Sequence, residues 1–224
     1  MMFLSEVGVY NSKMEKLSPR GHWILNNTKP GKILHIGFAG SDDELAILYE
    51  KTIEYFQSSD VYGVDINRAK IKKLNLKNTF YGNGKKLPFK SGLFDCVVLA
   101  EVLEHQTEPY RFLTEAYRVL KPNGTFLITT PSPFGIFRWL KHFIFARNLA
   151  AIENVKEYLG FHDHKMFFGP LSLIALIYSA GFKLVTYSST NLSVPYFTKY
   201  FGEIQFQFWP FDRLGTYSCY KAIK

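Results

Sequence analysis

The sequence predicts an α/β fold in which a doubly wound, mostly parallel sheet carries helices on both faces. Short, nearly continuous apolar runs alternate with amphipathic segments over the first two thirds of the chain, the rhythm of strand, helix, strand. The runs lack a polar alternate position, as strands covered on both faces must. Finally, 47% of the 224 residues are hydrophobic and 17% aromatic, which fills one sizeable core and excludes a disordered or fibrous chain.

The elements follow in order. Lys32–Gly37 (KILHIG) is an apolar run after Pro30-Gly31, and Ser41-Asp42-Asp43-Glu44 is a capping box that opens a helix with Leu45, Leu48, Thr52 and Tyr55 on one face. Val61–Ile66 (VYGVDI) is the second strand, followed by a helix from about Asn67. A short strand at Thr79–Tyr81 and a strong one at Phe94–Ala100 (FDCVVLA) come next. Glu108-Pro109 starts a helix with Phe112, Ala116 and Val119 on one side; Lys121-Pro122-Asn123-Gly124 stops it and turns into a strand over Thr125–Thr130. Gly169-Pro170 opens an apolar helix to Ala180, a strand runs from Gly181-Phe182 to about Ser188, and a last one covers Thr216–Ile223. Residues 132–161 and 191–214 break the rhythm and read as cap insertions on a single domain spanning 1–224.

Composition narrows the setting. Cys96 and Cys219 lie far apart in apolar surroundings, so neither a disulfide framework nor a C-x-x-C site is expected and a reducing, cytoplasmic compartment is. Met1–Tyr10 lacks the basic and apolar regions of a secretory signal. The longest uncharged stretch, Met166–Phe182, is 17 residues long and is interrupted by Gly169-Pro170, short for a bilayer span. The formal charge is +8, with 11 basic against 5 acidic residues in 121–224. A basic surface rich in aromatics fits an anionic partner, or it merely solubilises a cap.

In an open α/β sheet, ligands bind beyond the carboxyl ends of the strands. After the first strand, Gly37-Phe38-Ala39-Gly40-Ser41 lets a ligand approach the backbone at a helix N-terminus. After the second, the Asp65 carboxylate can accept two bonds from a ribose diol. After the third, Tyr81-Gly82-Asn83-Gly84 offers an amide to an adenine edge, and after the fourth come Ala100-Glu101 and Glu104-His105. Read singly, each is also a turn or a cap; in this order they outline a nucleoside-shaped crevice.

With ILHIGFAGS, VYGVDIN, GNGKKLPFKSGLFDCVVLAEVLEH and RVLKPNGTFLITTPSP, the chain resembles the class I S-adenosylmethionine-dependent methyltransferases of the small-molecule branch. A weaker echo in HDHKMFFGPLSLIALIYSAGF is similar to the ubiquinone-pathway O-methyltransferases. The resemblance implies S-adenosyl-L-methionine as cofactor and a seven-stranded sheet with its last strand antiparallel. It also implies that Gly37 and Ala39 lie against the methionine part, Asp65 with Ile66 at the ribose and its base, Asn83 and Gly84 near adenine, and Ala100 and Glu101 beside the cofactor. The family's D-x-G-x-G-x-G reads here as His35, Gly37, Ala39 and Ser41. A left-handed Ala39 would cost about 1–2 kcal/mol, and a histidine cannot supply the carboxylate that faces the cofactor's ammonium.

Methyl transfer needs alignment and, for a hydroxyl acceptor, a base. His105 is the candidate catalytic base; His162 and His164, around Asp163, are candidate substrate-binding residues. Two histidines around a carboxylate could hold a metal, but no third ligand is evident and no metal is expected. The expected function is methylation, at oxygen, of a small-molecule or lipid-linked acceptor. The basic, aromatic segment 134–149 either lids the pocket or makes a peripheral contact with an anionic membrane. A non-catalytic interaction protein of the same fold is the alternative from another class. A nucleic-acid methyltransferase is disfavoured, because Ala100-Glu101-Val102-Leu103 stands where base-amino methyltransferases carry Asn/Asp-Pro-Pro-aromatic. A nicotinamide dehydrogenase is disfavoured too: Gly37 and Gly40 do not form G-x-G-x-x-G, and Asp65 lies 28 positions beyond Gly37.

Overall fold

A computed structural model describes residues 19–39, 60–132, 164–190 and 217–224. Its strands are β1 (Ile33–Ile36), β2 (Val61–Asp65), β3 (Thr79–Tyr81), β4 (Phe94–Ala100), β5 (Leu120–Pro131), β6 (Lys183–Thr190) and β7 (Tyr217–Ile223). They form one seven-stranded sheet in the order β3-β2-β1-β4-β5-β7-β6. Pairings from β3 to β5 are parallel, while β7 runs antiparallel to both β5 and β6. The fold is thus the α/β architecture expected, with the antiparallel strand seated between its neighbours. The strand order reverses between β1 and β4, and there the carboxyl ends open a crevice.

Side-chain alternation divides the core into two layers. One face presents Leu34, Ile36, Val64, Val97, Leu99, Phe126 and Ile128 to helices α3 (Pro109–Val119) and α4 (Pro170–Ser179), which contribute Phe112, Leu113, Ala116, Leu173 and Ile177. The other presents Ile33, Val61, Cys96, Val98 and Leu127; α1 (Pro19–Asn27) adds Ile24 and α2 (Arg68–Leu74) adds Ile71 and Leu74. Cys96 and Cys219 are buried and unpaired with one another, and burial pushes the Cys96 thiol up to about 11, so it stays a thiol.

Local chemistry sets the boundaries. Asn67 caps α2, its side chain accepting from Lys70 N at 3.0 Å, and Asn75 closes it in the left-handed region at φ 47°. Pro109 opens α3 and Pro170 opens α4, each where a missing N–H costs nothing. The Lys121–Gly124 turn is absorbed into β5 instead of preceding it: Phe94 pairs with Leu120, then the ladder shifts so that Cys96 pairs with Thr125. Asn123 carries the bend at φ 60°, and Lys224 ties it to β7, accepting from Asn123 N and donating to Gly124 O, each at 3.1 Å. The sequence pattern did not mark α1, nor the 3₁₀ turn Leu103–His105 that follows β4. The capping box at Ser41 and the segments 133–163 and 191–216, which hold nearly all of the expected insertions, lie outside the described residues. Among the described residues no helix is long and apolar enough to cross a membrane.

Candidate functional site

The crevice begins at the β1 turn. Gly37 has φ +73°, and a Cβ there would stand 2.3 Å from Val102 Cγ2, so only glycine lets the loops after β1 and β4 approach. Ala39, next in the turn, is fully buried and is absent from the non-glycine residues with positive φ, which among the described residues are Asn75, Asn78, Glu101 and Asn123. The strain expected at Ala39 is therefore not there: the left-handed residue of this turn is Gly37.

Asp65 ends β2 at 8% exposure and is held by two amides, Oδ2 accepting from Ala39 N at 3.0 Å and Oδ1 from Asn67 N at 2.8 Å. These bonds fix the carboxylate at the mouth of the crevice and leave each oxygen a second lone pair for a ligand. Beside it Ile66 is 66% exposed, an apolar side chain that offers a surface to a base. Asn83 Oδ1 accepts from Lys85 N at 3.0 Å, so its carbonyl closes its own turn. Gly84 is small for packing: a Cβ would meet Phe112 Cε1 at 2.3 Å and Ile36 Cγ2 at 2.9 Å.

A layer of charge lies where β1 and β4 end on the α1 side of the sheet. Glu101, just past β4, has φ 53°, a strained backbone held because its N–H donates to Thr129 O at 3.0 Å and its Oε1 accepts from Thr129 Oγ1 at 3.1 Å. Arg20 of α1 reaches over it, Nη1 lying 3.5 Å from Glu101 Oε2 and the guanidinium 4.8 Å from the centre of the Tyr217 ring. Burial first, and the Arg20 charge second, hold the His35 imidazole down to about 4, so it is neutral at physiological pH.

Three side chains converge just past that layer, in the 3₁₀ turn after β4 and the segment before α4. Glu104, 1% exposed, has its carboxyl pushed up to about 9, by burial first and then by the Glu101 carboxylate. His105 Nε2 lies 3.9 Å from Glu104 Oε1, and the rings of His105 and His164 meet edge to face at 4.8 Å. The remote segment is pinned there because Lys165 N and Met166 N both donate to Glu104 O, at 2.7 and 3.0 Å. One ligand atom from each of Glu104, His105 and His164 lies within 4.8 Å of the others. Of the His162, Asp163 and His164 trio only His164 belongs to this set, which Glu104 and His105 complete with residue types that could hold a divalent cation.

The structure therefore brings Gly37, Ala39, Asp65, Ile66, Ala100 and Glu101 to one edge, with His105 and His164 beside them, while His162 lies outside the described residues. Sequence reasoning missed Arg20, which lies on the short helix α1 that the sequence pattern did not mark, and gave Glu104 no role, although its place one turn past a buried strand foretells burial. The residues fit S-adenosylmethionine. Asp65, a carboxylate pinned by two amides, has the chemistry to receive a ribose diol, and the exposed Ile66 that to pack on a base.

Residues 42–128 match the methyltransferase domain family. The demethylmenaquinone methyltransferase of Listeria welshimeri is 30% identical over 136 residues, 55% of this chain and 57% of that protein. The mitochondrial 2-methoxy-6-polyprenyl-1,4-benzoquinol methylase of Dictyostelium discoideum is 30% identical over 127 residues, 50% of this chain and 38% of that protein. The chain thus matches under two thirds of the length of these relatives. An S-adenosylmethionine-dependent methyltransferase from Thermotoga maritima superposes with a TM-score of 0.64 at 18% identity, covering 91% of this chain and 87% of that one. One from Archaeoglobus fulgidus gives 0.59 at 18% identity, covering 91% and 90%. At such identities these two establish the fold.

Proposed function

We propose that this chain, a member of the class I S-adenosylmethionine-dependent methyltransferases, methylates a hydroxyl of a small, lipid-linked aromatic acceptor with His105 as the base. The observation that carries the reading is the convergence of the Asp65 crevice with the Glu104, His105 and His164 rim across the ends of β2 and β4. The cofactor supplies a methyl group on a positively charged sulfur. The chain supplies everything else: Asp65 fixes the ribose, Gly37 admits the methionine part, and His105 takes the hydroxyl proton on a ring nitrogen. His105 keeps 38% of its side chain exposed, so it can reach an acceptor and pass the proton on to water. Glu104, kept uncharged by burial, stands beside that imidazole without paying for a buried negative charge.

Two features support a lipid-linked acceptor. The two quinone-named relatives bear names of polyprenyl-type or menaquinone substrates. In addition, eight basic residues and no acid lie between Asn67 and Phe94, with Ile66, Phe80 and Tyr81 exposed beside them, a combination suited to an anionic interface. The test is methyl transfer from S-adenosylmethionine to hydroxylated polyprenyl benzoquinols. His105→Ala should lower turnover about 100-fold or more and leave cofactor affinity unchanged. Loss of cofactor binding or of folding, with turnover per folded molecule retained, would make His105 structural.

A further inference from the structure

A groove of 530 Å³ lies between Met166–Phe168 and the α4 stripe of Ser172, Ala175, Leu176 and Ser179. That stripe has the i, i+3, i+4, i+7 spacing of one helix face, beside the face that sends Leu173 and Ile177 into the core. The volume falls in the range of small-molecule sites, about 300–1,000 Å³. The lining says what such a molecule must be. No charged side chain lines the groove among the described residues. Its two hydroxyls are engaged by their own helix, Ser172 Oγ donating to Gly169 O at 2.7 Å and Ser179 Oγ to Ala175 O at 2.8 Å. The Ser179 carbonyl is taken as well, accepting from the Tyr110 hydroxyl at 3.0 Å. A nucleotide, sugar or peptide would lose its water there without gaining partners, whereas a hydrocarbon chain has no such loss. Around the groove Met166, Phe167, Leu171 and Tyr178 are exposed, a cluster of large apolar side chains that marks a binding surface.

The groove begins where the candidate site ends. The rings of His105 and His164 meet edge to face at 4.8 Å, and those of His164 and Phe167 at 6.0 Å, so a line of rings leads from the base to the wall of the groove. Glu104 O accepts from Lys165 N and Met166 N. The 3₁₀ turn that presents His105 therefore also holds the entrance of the groove in place. We propose that this groove binds the apolar chain of the acceptor, which leaves the head group at His105 and His164, crosses Phe167 and lies along α4. The inference rests on the reading of a lipid-linked acceptor and adds where its chain goes. An acyl chain of the membrane has the same chemistry, but the line of rings leading to His105 favours the acceptor.

Calorimetric binding of hydroxylated benzoquinols that carry no chain, a prenyl, a geranyl or a farnesyl chain tests the assignment. Affinity should rise along the series by about 10-fold or more, each buried methylene being worth up to about fourfold. Ala175→Glu sets a carboxylate in the groove and should cancel most of that rise. Ser172→Glu, in the first turn of α4 where a negative charge suits the helix N-terminus, should do the same and serves if the first variant does not fold. Val185→Glu, at an exposed apolar position on β6, should keep the full rise. Flat affinity along the series in the unmodified protein, or a rise that survives in the folded groove variants, overturns the assignment. A surviving rise together with weakened binding of Ala175→Glu to phosphatidylcholine vesicles would give the groove to a membrane acyl chain. Methyl transfer to the same series reports separately on the underlying reading: affinity that rises with the chain while no member is methylated would overturn hydroxyl methylation and leave the groove standing.

Discussion

Ala39 shows how a residue that breaks a motif can suit its own structure. Its methyl group is fully buried beside Phe38 and Ile33, its backbone needs no left-handed conformation, and its N–H donates to Asp65. Ala39→Gly should therefore destabilise the fold by about 1 kcal/mol, from lost methyl burial and added freedom in the unfolded chain, a change that denaturant unfolding can read. A stability equal to or above that of the parent would mean the position is strained after all. Asp65 was legible in the sequence because a carboxylate directly after VYGV has few places to go but the carboxyl edge of the sheet. The turn around Ala39 was less so, since which residue takes the positive φ depends on Val102 from a different loop.

Among the elements, the 3₁₀ turn after β4 matters most for chemistry, and it was invisible to periodicity because three residues make no pattern. The turn buries Glu104, presents His105, and through the Glu104 carbonyl anchors the chain leading into α4. A carboxyl raised to about 9 in the folded state binds its proton more tightly than in the unfolded chain. Its contribution to stability is thus complete below the ordinary carboxylate value and is lost as pH rises toward 9, at up to roughly 1.4 kcal/mol per pH unit. Unfolding free energies measured with chelator present should fall between pH 6 and 9, and Glu104→Gln should remove most of that slope. An unchanged slope in the glutamine variant would mean that Glu104 is already ionised in the fold. Longer elements were easy to read by comparison. β3, β4 and α4 occupy the residues their apolar runs and prolines indicate, whereas β5 reaches back through Pro122-Asn123-Gly124 because β7 and Lys224 support the bend from outside.

On the scale of the whole molecule, two layers of helices around one sheet were legible from alternation alone, because a strand covered on both faces has to be apolar at successive positions. The packing of α1 on β5, β6 and β7 was not, since it depends on contacts between residues nearly 200 positions apart, such as Arg20 with Tyr217. The outcome is a crevice whose Asp65 side follows local sequence and whose Glu101 side is assembled from distant parts. The central claim is that this crevice takes S-adenosylmethionine or its demethylated product, and titration calorimetry with S-adenosylhomocysteine tests it most directly. One ligand should bind per chain, and Asp65→Asn should weaken it about 10-fold or more while the variant stays folded; absence of binding to the folded protein, or an affinity untouched in Asp65→Asn, would contradict it.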